Sequence, residues 1–404
     1  MSYSQKKEHK STFVYLLGIY FLLLIFGALN IGPIGSVLRL VGLLPIAIWV
    51  LSSHKIVKNK LLIFVFLFVL WCCFSYVWSI DQTLTSKRII TQISFLIFLF
   101  AVSAYSYNKT EIFFLKSMLV WASRLSAIVV LLFSNYIEGR LYLSGVIDED
   151  PNYLCTYFLF AIINAIISIT KPIGKKKIVY FFEILIYIYI ILSTGSRGGA
   201  LATGVAIVIA YIMSIKESDL TFLSFLGRIF LIAILAAAIY ILTSYLSEDI
   251  LLRYSYATIA ESNGTGRYQI WKDAMNLFGN SNFLRQLGGY GTGTAKVIAR
   301  EYHFTYVNVI HNIFIENLVE LGIVGFLFYV IYTFRFWNCS RIMKDTFSFS
   351  IISGMIIMSL STSLAAFKPY WNILIFIICM NNYVEVSDDG SAKINENFGR
   401  KLHG

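Results

Sequence analysis

Charged residues are scarce in this sequence. They make up 14% of its 404 residues, whereas hydrophobic residues make up 58%. Soluble domains contain about 25% charged and about 45–50% apolar residues, so the composition excludes an ordinary water-soluble domain. Apolar runs of about twenty residues recur along the chain, which predicts an all-α, polytopic membrane protein.

Motifs for metal or nucleotide binding are also missing. The chain has no P-loop and no HExxH motif, and its five cysteines lack the spacing of a metal site. We therefore expect no metal ion and no cofactor. Four of the cysteines fit the role of small side chains buried within apolar runs, namely Cys72, Cys73, Cys155 and Cys379.

The apolar runs predict about twelve transmembrane helices within a single membrane-embedded domain, 1–404. The first run follows a basic segment and lacks a small-residue cleavage pattern, so we expect a retained span and not a signal peptide. The runs lie at roughly 12–29, 33–52, 60–79, 88–105, 112–133, 151–170, 178–194, 199–214, 221–246, 312–333, 347–367 and 369–384.

The net charge is +11, and much of the positive charge lies in the short loops between these runs. The positive-inside rule then places the N-terminus and the tail 385–404 in the cytoplasm, and nucleic-acid binding is not expected. Three polar segments fall on the outer side: 138–152, 193–199 and the long loop 247–311. An odd change in the number of spans before residue 247 would reverse the side of that loop.

The long loop has two recognisable parts. Apolar residues recur at helical spacing from Trp271 to Phe278, which predicts an amphipathic helix over 267–279. The glycine-rich segment 288–293 suits a tight loop that passes close to a ligand. We expect Tyr290 within this segment to contact substrate.

Arg197 lies in a tight turn between two apolar runs, with glycines on both sides. A guanidinium at membrane depth costs about 3 kcal/mol on insertion scales, so we expect an anionic partner. The glycines, Gly198 among them, would let that ligand approach the backbone. The alternative is an arginine that caps backbone carbonyls or extends to lipid headgroups.

Arg267 and His311 both lie where a helix is predicted to begin. At Arg267, free backbone N–H groups and the helix dipole favour an anion; the alternative is binding of a lipid phosphate. At His311, the same dipole disfavours the imidazolium and leaves a neutral ring that accepts a proton. His303 is the rival base, and an interfacial role is the alternative for His311.

The acidic segment 148–152 precedes the sixth apolar run. Asp150 and Asn152 flank a proline that suits a first helical position, so helix capping is one interpretation. The other is orientation of a sugar hydroxyl or pairing with an arginine such as Arg140. Asp148 and Asp150 are the nearest candidates for holding Mg²⁺, but a pair of arginines is the simpler way to bind an anion.

Several charged residues lie inside apolar runs. They are expected to pair across the bundle or to line a groove for lipid headgroups, and the sequence does not assign the partners. They are Arg39, Arg124, Glu183 and Arg228.

Together, the motifs resemble the O-antigen ligase/polymerase family. They are the turn Thr194–Gly199, Gly266-Arg267 ahead of Trp271, His311-Asn312 followed by Glu316 and Gly322, and Asp150-Pro151-Asn152. By motif, the resemblance covers roughly 135–335. It implies a metal-independent, inverting glycosyltransferase of the bacterial inner membrane whose donor is a glycan on undecaprenyl pyrophosphate.

The resemblance also implies roles for individual residues. Arg197 and Arg267 would hold the pyrophosphate, and His311 would activate the acceptor hydroxyl. Arg140 and Asp150 are looser matches to the family pattern. The expected substrate-binding residues are Arg140, Asp150, Asn152, Gly198, Tyr290 and Glu316.

Three functions remain open at this point. We expect polymerisation of lipid-linked repeat units into O-antigen or capsule, in the presence of membrane lipid and of a possible chain-length regulator or flippase of the same pathway. A ligase would instead transfer the glycan to lipid A core or protein. A transporter of lipid-linked sugars is the non-enzymatic alternative, although transporters more often show broken helices in two matched halves.

Overall fold

The computed structural model describes residues 11–28, 37–51, 59–145, 147, 149–170, 177–216, 236–237, 239–255, 266–306, 309–386 and 392–394. Most of these residues are helical, as the apolar runs predicted. The predicted run 221–246 and the tail 385–404 fall largely outside the described residues, as do Arg228 and Asp148 and the side chain of Arg39.

The first half of the chain is a series of helices interrupted by one β-hairpin. The helices before the hairpin are α1 (Thr12–Leu22), a 3-10 helix (Leu24–Ala28), α2 (Val37–Leu51), α3 (Lys60–Phe74), α4 (Gln82–Ser103) and α5 (Lys109–Phe133). The hairpin pairs β1 (Ser134–Ile137) with β2 (Arg140–Leu143) in antiparallel register. It is followed by α6 (Pro151–Tyr157), α7 (Leu159–Thr170), α8 (Lys177–Ser193) and α9 (Arg197–Lys216).

The second half begins with short helices and ends with longer ones. The short helices are α10 (Glu248–Tyr254), α11 (Arg267–Asn280), α12 (Phe283–Gly288) and α13 (Ala295–Glu301). The longer ones are α14 (Ile313–Ile342), α15 (Thr346–Ser359) and α16 (Lys368–Asn381), followed by the antiparallel pair β3 (Val384–Val386) and β4 (Ala392–Ile394).

Four helices of the described chain are long and apolar enough to cross a membrane. They are Gln82–Ser103, Lys109–Phe133, Arg197–Ile215 and Ile313–Ile342. The pair α6 and α7, bent by 41° at its junction, would make a fifth span. A helical membrane protein is thus supported, while the number twelve and the orientation stay predictions.

Polar caps make several helices longer than the apolar runs that predicted them. The run at 88–105 belongs to α4, which begins at Gln82 because the Asp81 carboxylate accepts the N–H of Leu84 at 2.9 Å. Likewise, α5 begins at Lys109 because Asn108 and Glu111 form a capping box. Such caps satisfy N–H groups that the first turn of a helix leaves unpaired.

The bundle is held by apolar packing between helices that are distant in the sequence. α9 packs against α7 and α15, and α3 packs against α14. The largest buried side chains of this core include Trp371, Tyr329 and Tyr332. The segment 266–306 has a smaller apolar core of its own, which includes Ile270, Ala274, Tyr290 and Ile298 and reaches Val319 of α14.

A break within α14 joins segment 266–306 to the bundle. Gly322 has a φ of +66°, outside the helical range, so carbonyls before it are available to other donors. The N–H of Tyr290 donates to the carbonyl of Val319 at 3.1 Å. The N–H of Gly291 donates to the carbonyl of Glu320 at 2.8 Å. The glycine-rich segment is therefore bonded to the break.

Candidate active site

The turn between α8 and α9 presents Arg197. Gly195 has a φ of +61°, which lets the chain reverse direction after α8. The hydroxyl of Thr194 accepts the N–H of Ser196 at 3.1 Å, and the hydroxyl of Ser196 accepts the N–H of Gly199 at 3.1 Å. These bonds fix the start of α9, so that its first residue, Arg197, leaves the turn in a defined direction.

Two other arginines flank this turn. The Nε of Arg140, on β2, donates to the carbonyl of Thr194 at 2.9 Å. The Nε of Arg253, on α10, points to the carbonyl of Gly195 at 3.5 Å. A Cβ on Gly195 would lie 3.1 Å from the Nε of Arg253 and 3.4 Å from the Cγ of Arg140. The missing side chain therefore leaves room for both arginines.

Arg197 is held by the backbone of α10. Its Nε donates to the carbonyl of Arg253 at 2.6 Å, which ties the first turn of α9 to the last turn of α10. Both side chains are half-buried. The guanidinium groups of Arg140, Arg197 and Arg253 thus surround one turn, and we call these three residues the turn arginines.

Arg267 begins α11, as predicted from the sequence, and the helix extends over Arg267–Asn280. Gly266 precedes it with a φ of +77° and supplies no side-chain cap, so N–H groups of the first turn remain available for an anion. Burial lowers the pKa of Arg267, and the Asp150 carboxylate opposes this shift. The charges of Arg140 and Arg197 lower it further, so Arg267 lies close enough to these two arginines to sense their charge.

Positive charge is in excess at this site. Among the described residues, Arg140, Arg253 and Arg267 form no salt bridge with a carboxylate. Burial lowers the pKa of Arg253, and the charges of Arg140 and Arg197 add to this effect. Half-buried guanidinium groups that repel one another form a ready site for an anionic ligand.

His311 lies beside Arg267, just before α14. Burial lowers the pKa of His311 to about 4, and the charge of Arg267 contributes in the same direction. Asp150 opposes the shift, so that these three side chains share one neighbourhood. The ring is therefore neutral at pH 7 because of burial and the charge of Arg267; the effect of the helix dipole stays a prediction.

The geometry at His311 is unusual in two respects. Its φ is +54°, in the left-handed region that non-glycine residues rarely adopt. Its Nδ1 is buried without a hydrogen-bond partner among the described residues. The rival base, His303, is exposed on a turn. His311 is thus the histidine that the fold places next to the arginines.

The acidic segment caps a helix and also faces the arginines. The carboxylate of Asp150 accepts the N–H of Asn152 at 2.8 Å and its side-chain amide at 2.7 Å, which starts α6. Arg140 is not paired with Asp150 in the described structure; it donates to Thr194 and, at 3.3 Å, to the hydroxyl of Tyr142. The capping interpretation therefore describes the observed bonds, and the effect of Asp150 on Arg267 and His311 is electrostatic.

Glu149, next to this cap, is half-buried, and the pKa of its carboxyl is shifted. Burial raises its pKa to about 7, and the hydroxyl of Tyr157, which donates to it at 2.7 Å, partly offsets the shift. The neighbouring charge of Asp150 raises the pKa further. No sequence motif distinguishes Glu149 from the two acids beside it.

Glu316 belongs to a second polar cluster, which Tyr153 of α6 connects to the acidic segment through a 3.2 Å hydrogen bond to the carbonyl of Ser363. Its carboxylate lies 3.9 Å from the guanidinium of Arg88 and accepts the hydroxyl of Ser363. One turn later, Glu320 accepts the N–H groups of Gly293 and Ala295, each at 2.7 Å. These bonds of Glu320 attach the glycine-rich segment to α14 and are structural. Contact of Glu316 with a substrate stays a prediction.

Tyr290 and Gly198, the other residues expected to contact substrate, are also in contact with the protein itself. Tyr290 is buried, its hydroxyl shares a 2.7 Å hydrogen bond with Ser281, and Arg285 lies 4.8 Å from its ring. At Gly198, a Cβ would lie 2.7 Å from that of Ser361, so close helix packing accounts for this glycine. Contact of either residue with a substrate stays a prediction.

A comparison with known protein families matches the segment of the chain that contains most of this site. Residues 182–330 match the family described as O-Antigen ligase, which confirms the resemblance and includes Arg197, Arg253, Arg267 and His311. This match indicates an O-antigen ligase-type function in surface polysaccharide assembly, with a membrane glycosyltransferase-like activity on lipid-linked glycan and acceptor substrates.

Other comparisons add little. No curated protein matches the chain. A solved structure titled "Structural coordination of polymerization and crosslinking by a peptidoglycan synthase complex" aligns with 79% of this chain and 94% of its own, at 17% identity and a TM-score of 0.42.

Proposed function

We propose that this protein, whose residues 182–330 form an O-antigen ligase family segment, polymerises oligosaccharide repeat units carried on undecaprenyl pyrophosphate. The observation that supports this most directly is the placement of Arg140, Arg197 and Arg267 around one neighbourhood with a neutral His311. An anion site and a base are the two components that transfer from a glycosyl pyrophosphate requires.

The arginines act on the leaving group. As the bond between the anomeric carbon and the pyrophosphate oxygen breaks, negative charge builds up on that oxygen. Guanidinium groups donate paired hydrogen bonds to phosphate oxygens and keep their charge when half-buried. Donors that are already in place stabilise the developing charge without reorganisation of solvent. No metal ion is needed for this step.

His311 acts on the nucleophile. A neutral imidazole accepts the proton of the acceptor hydroxyl while its oxygen attacks the anomeric carbon from the face opposite the pyrophosphate, which inverts the configuration. Such a base contributes about 10²–10⁴-fold to the rate. With a pKa of about 4, the imidazolium then releases the proton to water readily.

Binding of the donor would change the pKa of His311. The charge of Arg267 lowers the pKa of His311, and a pyrophosphate paired with Arg267 would offset that charge. The pKa of His311 would therefore rise when the donor is bound, and the imidazole would become a stronger base in the complex than in the free protein.

A reconstituted transfer reaction tests the proposal. The full chain is purified in detergent and supplied with a lipid-linked repeat unit, with either a second repeat unit or a lipid A core as acceptor and no ion gradient. We expect longer glycans on the lipid carrier, in the presence or absence of a chelator. Transfer only to the lipid A core would identify a ligase, and movement of substrate across vesicles without new glycosidic bonds would identify a transporter.

A further inference from the structure

Among the turn arginines, Arg253 is the one that the sequence alone does not identify as a candidate. It lies in the short helix α10, without flanking glycines or a helix start. The fold nevertheless brings it to the glycine turn, where a Cβ on Gly195 would come within 3.1 Å of its Nε. Its position relative to Arg140 and Arg197 follows only from the tertiary structure.

The side chain of Arg253 has donors to spare. A guanidinium carries five N–H donors, and the described contact is a single bond from Nε to the carbonyl of Gly195 at 3.5 Å, a long distance for a hydrogen bond. It forms no salt bridge with a described carboxylate, although Asp249 lies one turn earlier on the same helix. Within the described part of the chain its other donors have no hydrogen-bond partner, which suits them to an anionic ligand.

The backbone and the side chain of Arg253 have separable roles. The carbonyl holds the Nε of Arg197 at 2.6 Å, and this bond is retained by any side chain at position 253. The guanidinium, in contrast, adds charge to a site that already contains Arg140 and Arg197. Substitution therefore removes the charge while the support for Arg197 is kept.

The arginines divide into two groups. Arg267 lies near Asp150 and His311. In the proposed mechanism, His311 activates the acceptor hydroxyl at this place. The turn arginines surround the turn between α8 and α9. A diphosphate has two phosphoryl groups, and the one bonded to the sugar must lie near the base. The turn arginines are then left for the second phosphoryl group.

Resting on the proposed function, we propose that Arg253 binds the donor directly and, together with Arg140 and Arg197, holds the phosphoryl group on the lipid side of the pyrophosphate. Arg267 holds the phosphoryl group on the sugar side. Arg253 thereby favours a diphosphate over a monophosphate carrier, because a diphosphate supplies one phosphoryl group to Arg267 and a second to the turn arginines.

Inorganic pyrophosphate is a direct probe of this site. The full chain is placed in nanodiscs of neutral lipid, and its thermal stabilisation is measured against pyrophosphate and phosphate concentration for the wild type, Arg253→Ala and Arg253→Lys. Arg300→Ala is the matched control, since Arg300 is an arginine of the same loop that is 66% exposed and pairs with Glu301. Anionic nanodiscs of phosphatidylglycerol provide a second arm, because a lipid headgroup carries the same chemistry.

We expect Arg253→Ala to raise the pyrophosphate concentration for half-maximal stabilisation by about tenfold, the loss of one charge-assisted contact. Arg253→Lys should retain part of the affinity, and Arg300→Ala should stay within about twofold of the wild type. In the transfer reaction, Arg253→Ala should raise the KM for the donor by a similar factor while kcat changes less.

Two results would overturn this assignment. One is wild-type pyrophosphate affinity in a folded Arg253→Ala or, if that variant does not fold, in Arg253→Gln. The other is a dependence on Arg253 seen only with phosphatidylglycerol, which would identify a headgroup site. Pyrophosphate binding that requires Arg253 in a protein without transfer activity would retain the anion site and reject the proposed function.

Discussion

Arg124 and Glu183 form a bidentate salt bridge that joins α5 to α8. The Nε and Nη2 of Arg124 donate to the two carboxylate oxygens of Glu183 at 2.8 and 3.0 Å, and the hydroxyl of Tyr187 donates to the same carboxylate at 3.2 Å. The sequence left the partners of these charges unassigned. The structure shows that they neutralise each other across the bundle.

Loss of one member of this pair should destabilise the protein. The side chains of Arg124 and Glu183 are 27% and 12% exposed, so an unpaired charge would remain in a poorly solvated place, at a cost of about 1–3 kcal/mol. We expect Arg124→Ala and Glu183→Ala each to lower the melting temperature in detergent, and the Arg124→Met/Glu183→Leu double variant to recover most of the loss. A double variant as unstable as the sum of both single variants would contradict this.

Arg197 and Arg267 should each be required for transfer. We expect Arg197→Ala and Arg267→Ala to reduce kcat/KM by at least about 10²–10³-fold, since each removes donors from the developing pyrophosphate charge. Expression and melting temperature should change little. Lysine at either position should recover only part of the activity, because it lacks the paired donors of a guanidinium. Activity within tenfold of the wild type in either alanine variant would remove that arginine from the site.

The pH profile of transfer reports on His311. A base with the ordinary histidine pKa of about 6.5 would lose about fivefold in rate between pH 6.5 and 5.5, because its neutral fraction falls from about one half to about one tenth. Because the pKa of His311 in the free protein is lowered to about 4, we expect kcat/KM to show no loss from the protonation of this residue until the pH approaches that value. His311→Ala should lower kcat by about 10²–10⁴-fold, with less effect on donor KM. A measured decline near pH 6.5 that His311→Gln abolishes would show an unshifted histidine.

The raised pKa of Glu149 predicts that the stability of the protein also depends on pH. Its folded-state pKa is raised to about 7 from an ordinary value of 4.5, so its contribution to stability is complete below pH 4.5 and is lost as the pH rises through 7. We expect Glu149→Gln, which can still accept the hydroxyl of Tyr157, to raise the melting temperature at pH 8 more than at pH 5. An equal change at both pH values would mean that Glu149 is already ionised at pH 5.

The glycine in the break of α14 should tolerate no side chain. A Cβ on Gly322 would lie 2.6 Å from the backbone N of Gly288, and its φ is +66°. We expect Gly322→Ala to reduce folded yield and melting temperature strongly. Gly204 of α9, which has nothing within 4 Å of a built Cβ, is the matched control; alanine there should stabilise the helix by about 0.5–1 kcal/mol. Equal effects of the two substitutions would contradict the close approach at the break.

Local signals made part of the site predictable from the sequence. Arg197 lies in a glycine turn, and Arg267 and His311 lie at helix starts, so each could be identified from its immediate neighbours. The family match over residues 182–330 confirms the resemblance to which these motifs pointed. The roles of the three residues remain predictions.

Other members of the site have no such signal. Arg253 and Arg88 are ordinary arginines in helices, and only the packing of α10 and α4 shows what they face. Tyr290 and Gly198 were expected at the substrate, but the sequence could not show that Ser281 and Ser361 already contact them. Hydropathy likewise missed polar helix starts such as that of α4, because a cap extends a helix beyond its apolar residues.

The backbone bonds between the glycine-rich segment and the break in α14 limit how segment 266–306 can move. A hinged lid would have to break the bonds from Tyr290 and Gly291 and release the two N–H groups held by Glu320. We therefore expect the glycine-rich segment and the first turns of α14 to move as one body. An opening that admits a lipid-borne sugar would then involve a tilt of that helix, and so depend on the bilayer that surrounds it.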